Sequence, residues 1–210
     1  RVLFRSRTLY GAGSAVLSLA RQLRELVQAL RAEMGLGAEV SDWSAWLASL
    51  SPAQCARLQA LGEASSGSTF PNGCHVAEVE IDPKTGMTEV LQYWAVDDLG
   101  KVISPDLVRG QVHGGVVQGW GQAFCEQVVY DPQGQLLTGS LMDYAMPRLG
   151  QMPVIFNETI DVTTELNALG SKGVGESGCT GSLPALSNAM MNAMRPHGVT
   201  DMDMPFTAAK

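Results

Sequence analysis

Gly170-Ser171-Lys172-Gly173-Val174-Gly175-Glu176-Ser177-Gly178-Cys179-Thr180-Gly181-Ser182 is the stretch on which the reading of this chain turns. Its five glycines each cost backbone entropy in a helix or strand. The spacing therefore predicts a loop here, and a helix only after it, from Leu183 to Met194. Ser182 is placed to cap that helix and Pro184 to sit in its first turn, where a missing N–H costs nothing. Glu176 is the loop's only carboxylate. Unpaired amide N–H groups at a helix start attract anions, so a carboxylate beside them is positioned rather than free. Taken alone, Glu176 reads either as a structural cap or as a placed base.

Working outward, the chain has 210 residues, 45% of them apolar and 17% charged. That composition supports a packed core and argues against disorder. A net charge of −7 disfavours a nucleic-acid partner and a polybasic membrane patch. Cys55, Cys74, Cys125 and Cys179 form no Cys-x-x-Cys, which supports neither a metal site nor an iron–sulfur cluster. Few cysteines and many methionines favour a reducing, cytoplasmic setting. No stretch reaches the roughly 20 apolar residues of a membrane span. The first seven residues, Arg1 to Arg7, are basic but too interrupted for a signal peptide. Without an initiating Met, the chain is expected to be a piece of something longer.

Val16, Leu19, Leu23, Leu26, Val27 and Leu30 recur at helical spacing with Arg21, Arg24, Gln28 and Arg31 opposite, predicting an amphipathic helix over 13–34. Ser41 and Ser51, the latter with Gln54 three residues on, mark two short helix starts. A loop over 62–73 is the expected internal boundary. It separates an N-terminal helical segment (1–69), continuing from a missing upstream part, from a C-terminal region (70–210). Alternation over 76–82 and 90–96 around Pro83-Lys84-Thr85-Gly86 predicts a hairpin. Val108, Val112, Val116, Trp120 and Phe124 form one stripe of a helix over 105–124. Its glycines at 110, 114, 115, 119 and 121 invite close approach of backbone or ligand, and Gln111, Gln118 and Gln122 share a face. A second hairpin is predicted over 126–141, a strand over 154–162 and an edge strand over 199–205. Asp97-Asp98 reads as part of a turn, and His75, His113 and His197 as packing or surface residues.

Phe70-Pro71-Asn72-Gly73-Cys74-His75-Val76-Ala77-Glu78-Val79-Glu80-Ile81-Asp82, Gly110-Gln111-Val112-His113-Gly114-Gly115, Leu137-Thr138-Gly139-Ser140-Leu141-Met142-Asp143-Tyr144, Lys172-Gly173-Val174-Gly175-Glu176 and Asp203-Met204-Pro205 occur in that order. Together they resemble the C-terminal part of the molybdopterin-binding large subunit of the xanthine dehydrogenase / aldehyde oxidase family. The resemblance implies an α+β fold, with long helices packed on antiparallel β-hairpins. It implies a molybdenum–molybdopterin cofactor, in its cytosine dinucleotide form, and oxidation of an aldehyde or N-heteroaromatic carbon with water as the oxygen source. By the same resemblance Glu176 is the general base. Gln111, Lys172, Gly173, Val174 and Gly175 contact the cofactor, and Ser6, Arg7 and Thr8 form a polar loop near its phosphates. Lys172 is expected to point toward the cofactor rather than to pair with Glu176.

No residue of this chain is implied as a metal ligand. Iron–sulfur clusters and FAD are expected only in partner subunits of a hetero-oligomer. Since the family's site is built from both halves of a much longer subunit, the isolated chain is expected to be inactive. Two other readings stand beside this one: a phosphate- or nucleotide-binding module, and a non-catalytic scaffold pairing with electron-transfer subunits.

Overall fold

The computed structural model describes residues 6–63 and 67–210, the side chains of residues 6–8 excepted. Residues 64–66, part of the predicted 62–73 loop, lie outside the described residues. The chain divides into two compact units. The first runs through Ser68 and takes in Glu165–Gly170, and the second holds Thr69–Thr164 and Ser171–Lys210.

The first unit is built on α1 (Ser6–Glu33), which starts about two turns earlier than the periodicity predicts. The short helices α2 (Trp43–Ala48) and α3 (Pro52–Arg57) follow. Asp42, not Ser41, caps α2, accepting from the Ala45 N–H at 3.0 Å. Ser51 and Gln54 form the expected capping box on α3. Val27, Leu30, Trp46 and Leu50 make the buried cluster. The rest of the predicted stripe is poorly covered, since Val16, Leu23 and Leu26 remain exposed. Arg31, expected on the polar side, is buried instead. Its guanidinium donates to the carbonyls of Gly37 and Glu39, each at 2.7 Å, and lies 5.4 Å from the centre of the Trp46 ring. Two hydrogen bonds and an aromatic face replace the water it gives up.

The second unit is a three-stranded sheet in the order β1 (Asn72–Ile81), β2 (Thr88–Asp98), β3 (Val154–Ile160). β1 and β2 pair antiparallel as the hairpin pattern predicts, whereas β3 lies parallel to β2. Helix α4 (Pro105–Phe124) is part of the crossover between β2 and β3. An irregularity at Glu78/Val79 leaves Leu91 without a partner and shifts the phase of β2 by one residue. Beyond it, Tyr93, Ala95 and Asp97 point into the core. Trp94 turns to the other face and stacks on Phe156 with ring centres 6.0 Å apart. Val90, Tyr93, Val112, Val116, Trp120, Leu186 and Phe206 are among the core residues.

Helix α5 spans Ser177–Met194, so it begins inside the glycine-rich stretch rather than after it. Ser182 is a fully buried interior residue, not the cap, and Pro184 lies within the helix. The reason is tertiary. A Cβ on Gly178 would collide with the Val112 carbonyl, one on Gly115 would stand 2.7 Å from the Cys179 nitrogen, and one on Gly119 would strike the Ser182 hydroxyl. The contacts advance together along both chains, so α4 and α5 run parallel, backbone against backbone. Packing of this kind offsets the roughly 1 kcal/mol that each helical glycine costs. Of the five glycines at 170–181, only Gly170 has positive φ, at 71°.

The second predicted hairpin reduces to one bridge, Tyr130 with Leu136, flanked by irregular chain. Residues 199–205 form no strand. They lead to Phe206, which is buried and whose N–H donates to the Ala123 carbonyl at 2.7 Å.

Candidate functional site around Glu176

Val174 to Ser177 form a tight turn, closed by the Ser177 N–H on the Val174 carbonyl at 3.2 Å. The Ser177 hydroxyl donates to the same carbonyl at 3.0 Å. Glu176 is the third residue of this turn and the N-cap of α5, with φ −121° and ψ −5°. That backbone region is sparsely used and is one where active-site residues are often found. The Glu176 side chain makes no capping hydrogen bond and is exposed, so it is not the structural cap the bland reading allowed. Its charge is felt at Cys179, whose thiol is pushed up first by burial and then by the Glu176 carboxylate.

Gln111 directly precedes Val112, whose carbonyl faces Gly178. Because the two helices are parallel, Gln111 and Glu176 stand at the same end of the pair, and both are exposed. Gly110 and Gly114 flank Gln111 with nothing within 4 Å of where a Cβ would lie. Two residues after Gln111, burial and then Arg109 hold the His113 imidazole below its ordinary pKa. Its Nε2 is buried without a hydrogen-bond partner among the described residues. Two open grooves lie farther along α5, around Asn188 and Asn192, and are lined by neither Glu176 nor Gln111.

The loop before Glu176 is anchored from behind. Ser171 bridges Gly100, its hydroxyl donates to the Lys101 carbonyl, and the Lys172 N–H donates to the Leu99 carbonyl at 2.8 Å. The Gly173 N–H donates to the Thr69 hydroxyl at 3.2 Å. Lys172 does not pair with Glu176, as expected; its ammonium donates to Asp98 at 2.5 Å. A charged lysine this close to the sheet needs a counter-ion. Asp98 also accepts from the N–H groups of Gly100 at 3.0 Å and Val162 at 3.1 Å. Burial pushes the Asp98 carboxyl up, but Lys172 and the two amides outweigh it and hold it below the usual carboxylate range.

Asp97, on the opposite face of β2, accepts from His75 Nε2 at 3.2 Å, while His75 Nδ1 is 2.7 Å from the Tyr93 hydroxyl. In a neutral ring whose Nε2–H donates to Asp97, Nδ1 is the acceptor of the Tyr93 hydroxyl. Tyr93 is fully buried, and burial followed by the Asp97 charge raises its hydroxyl pKa. Reading Asp97-Asp98 as a turn missed both partnerships; the alternation of β2 was the signal that would have sent the two carboxylates to opposite faces.

Ser6, Arg7 and Thr8 open α1 rather than forming a loop before it, and their side chains lie outside the described residues. No group of three His, Cys, Asp or Glu side chains able to hold a metal ion occurs among the described residues. None of the described helices is long and apolar enough to cross a membrane. The four cysteines are free thiols.

Set against known proteins, residues 4–153 match the family model of the molybdopterin cofactor-binding domain. The carbon monoxide dehydrogenase large chain of Hydrogenophaga pseudoflava is 38% identical over 140 residues, 67% of this chain and 17% of that one. The nicotine 6-hydroxylase large subunit of Paenarthrobacter nicotinovorans is 40% identical over 141 residues, again 67% and 17%. The structure of the Cu,Mo-CO dehydrogenase in its carbon monoxide reduced state superposes with a TM-score of 0.85 at 27% identity, covering 97% of this chain and 29% of that chain. The α+β architecture shared with the Cu,Mo-CO dehydrogenase over nearly the whole of this chain defines the class of protein. The chain belongs to the molybdopterin cofactor-binding domain family. It spans about a sixth of the length of these two curated relatives.

Proposed function

We propose that this chain supplies one wall of the active site of a molybdopterin-dependent hydroxylase, with Glu176 as its general base. The observation that carries the reading is the parallel pair of α4 and α5, which brings Gln111, the start of α5 and the exposed Glu176 carboxylate, which caps no amide there, to one end. The residues fit a molybdopterin. Gly110 and Gly114 leave α4 smooth beside Gln111, whose amide both donates and accepts, and the 173–175 backbone edges the same end of α5. Lys172 serves this site through its main chain, since its ammonium is held by Asp98. The two halves of a bound site bury what the chain alone leaves exposed. When bound, the cofactor supplies the redox centre that takes two electrons from the substrate.

Glu176, fixed in its turn, takes the proton from the attacking water-derived oxygen, and Gln111 orients the cofactor edge by hydrogen bonding. The substrate is an aldehyde or an N-heteroaromatic carbon, in keeping with the nicotine 6-hydroxylase and indole-3-acetaldehyde oxidase relatives. Electrons then pass to iron–sulfur and flavin subunits of a cytoplasmic hetero-oligomer, and the cofactor is the cytosine dinucleotide form. Glu176→Gln in the holoenzyme tests the base role. Turnover falls by about 10²-fold or more while molybdenum content is unchanged. Turnover within about 10-fold of the parent, with the metal retained, contradicts it.

A further inference from the structure

We propose that Asp97 and Asp98 are a positioning pair that fixes Glu176 from both sides. The inference rests on the general-base reading of Glu176. Adjacent residues of β2 point to opposite faces, and here each carboxylate holds a different flank of the turn. Asp98, with side-chain exposure of 13%, takes the Lys172 ammonium, four residues before Glu176. Through the N–H groups of Gly100 and Val162 it also ties down the chain just after β2 and just after β3. Asp97, with side-chain exposure of 3%, holds the His75 ring.

That ring occupies the space a Cβ at Gly181 would need, five residues after Glu176, in the second turn of α5. Gly73 clears the room for Asp97 itself, since a side chain there would collide with its carboxylate. Tyr93 closes the other ring nitrogen, so His75 has one orientation only. The turn at 174–177 is thus suspended between a salt bridge and a locked imidazole, both rooted in two consecutive residues of one strand. Within the turn, the Ser177 N–H and hydroxyl both donate to the Val174 carbonyl.

The test uses the holoenzyme with its natural partners and reads amide hydrogen exchange by peptide mass spectrometry alongside kinetics. Asp98→Asn speeds exchange over 172–176 about 10-fold or more and leaves 178–182 nearly unchanged, while Asp97→Asn does the reverse. Both lower kcat by about 10- to 10²-fold with KM within about 3-fold, as displacement of a base without loss of substrate contacts requires. Asp98→Glu and His75→Gln are the second variants should either asparagine variant fold poorly. The glutamate restores part of kcat, and His75→Gln loosens 178–182 alone.

Unchanged exchange and kcat, or equal loosening of both flanks and of β2 itself, overturn the proposal. The two readings fail separately. If Glu176→Gln abolishes turnover while the aspartate variants leave kcat and exchange untouched, the positioning pair is wrong and the base stands. If Glu176→Gln is tolerated, the base reading is wrong and the positioning of a catalytic base falls with it.

Discussion

Lys172 Nζ stands 2.5 Å from Asp98 Oδ2 across 74 residues of sequence, in a pair whose side chains are only 11% and 13% exposed. The pair ties the glycine-rich loop to the end of the central strand. Removing the ammonium by Lys172→Met leaves a nearly buried carboxylate with two amide donors, at a cost of about 3 kcal/mol near neutral pH. The folded pKa of Asp98 lies below its ordinary value. Its contribution is therefore present above the ordinary carboxyl pKa of about 3.9 and lost as pH falls through the lower folded value. Urea unfolding at pH 7 and in acid checks this: the gap between parent and variant narrows below about pH 4. A gap independent of pH contradicts it.

The contact between α4 and α5 tolerates no added carbon where the backbones meet. Gly178→Ala drives a methyl into the Val112 carbonyl, and overpacking of that kind costs about 1–3 kcal/mol or more. Gly110→Ala has open space and stabilises the cofactor-free chain by about 0.4–1 kcal/mol. If Gly110 leaves room for the cofactor, the same variant binds less molybdenum per protomer. Thermal unfolding and metal analysis of the two variants separate these effects. A destabilised Gly110→Ala chain would show that the open face is not open.

Tyr93→Phe leaves His75 Nδ1 buried without its donor, costing about 1–3 kcal/mol. Burial and the neighbouring Asp97 raise the hydroxyl pKa in the folded state. The contribution is therefore complete below the unfolded value of about 10 and declines as pH rises beyond it. The parent loses stability in alkali that the variant has already given up, and their unfolding curves converge above about pH 10. Parallel curves up to about pH 12 would show that Tyr93 ionises as it does in the unfolded chain.

Arg31 binds the Gly37 and Glu39 carbonyls with two different nitrogens. A lysine presents one point of contact and no planar face to Trp46. Arg31→Lys lowers stability by about 1.5–3 kcal/mol, the worth of a charged hydrogen bond. Hydrogen exchange over 36–40 rises with it. An unchanged exchange pattern there would mean the guanidinium is not what orders this turn.

Much of the architecture was legible from local pattern. Alternation over 76–82 and 90–96 marked β1 and β2, and the four-residue stripe from Val108 to Phe124 marked α4. Ser51 and Gln54 announced their capping box because both partners lie within four residues of chain. Patterns of this kind depend on neighbours in sequence, and the sequence contains them. The second hairpin misled because Asp131-Pro132-Gln133-Gly134 makes a turn whose arms, beyond one bridge, have no sheet to join. α5 misled in the other direction, because glycine propensity describes an isolated helix and not one whose carbonyls and amides lie against another backbone.

By itself the sequence determined the β1–β2 hairpin, helices α1 to α4, the glycine-rich turn and the presence of a single carboxylate within it, since each is a matter of local composition and periodicity. The tertiary structure alone decided where α5 begins, that β3 runs parallel to β2, and which charges meet. Those outcomes depend on groups from distant positions arriving at one place, where an unpaired charge or a side chain without room costs more than any local preference returns.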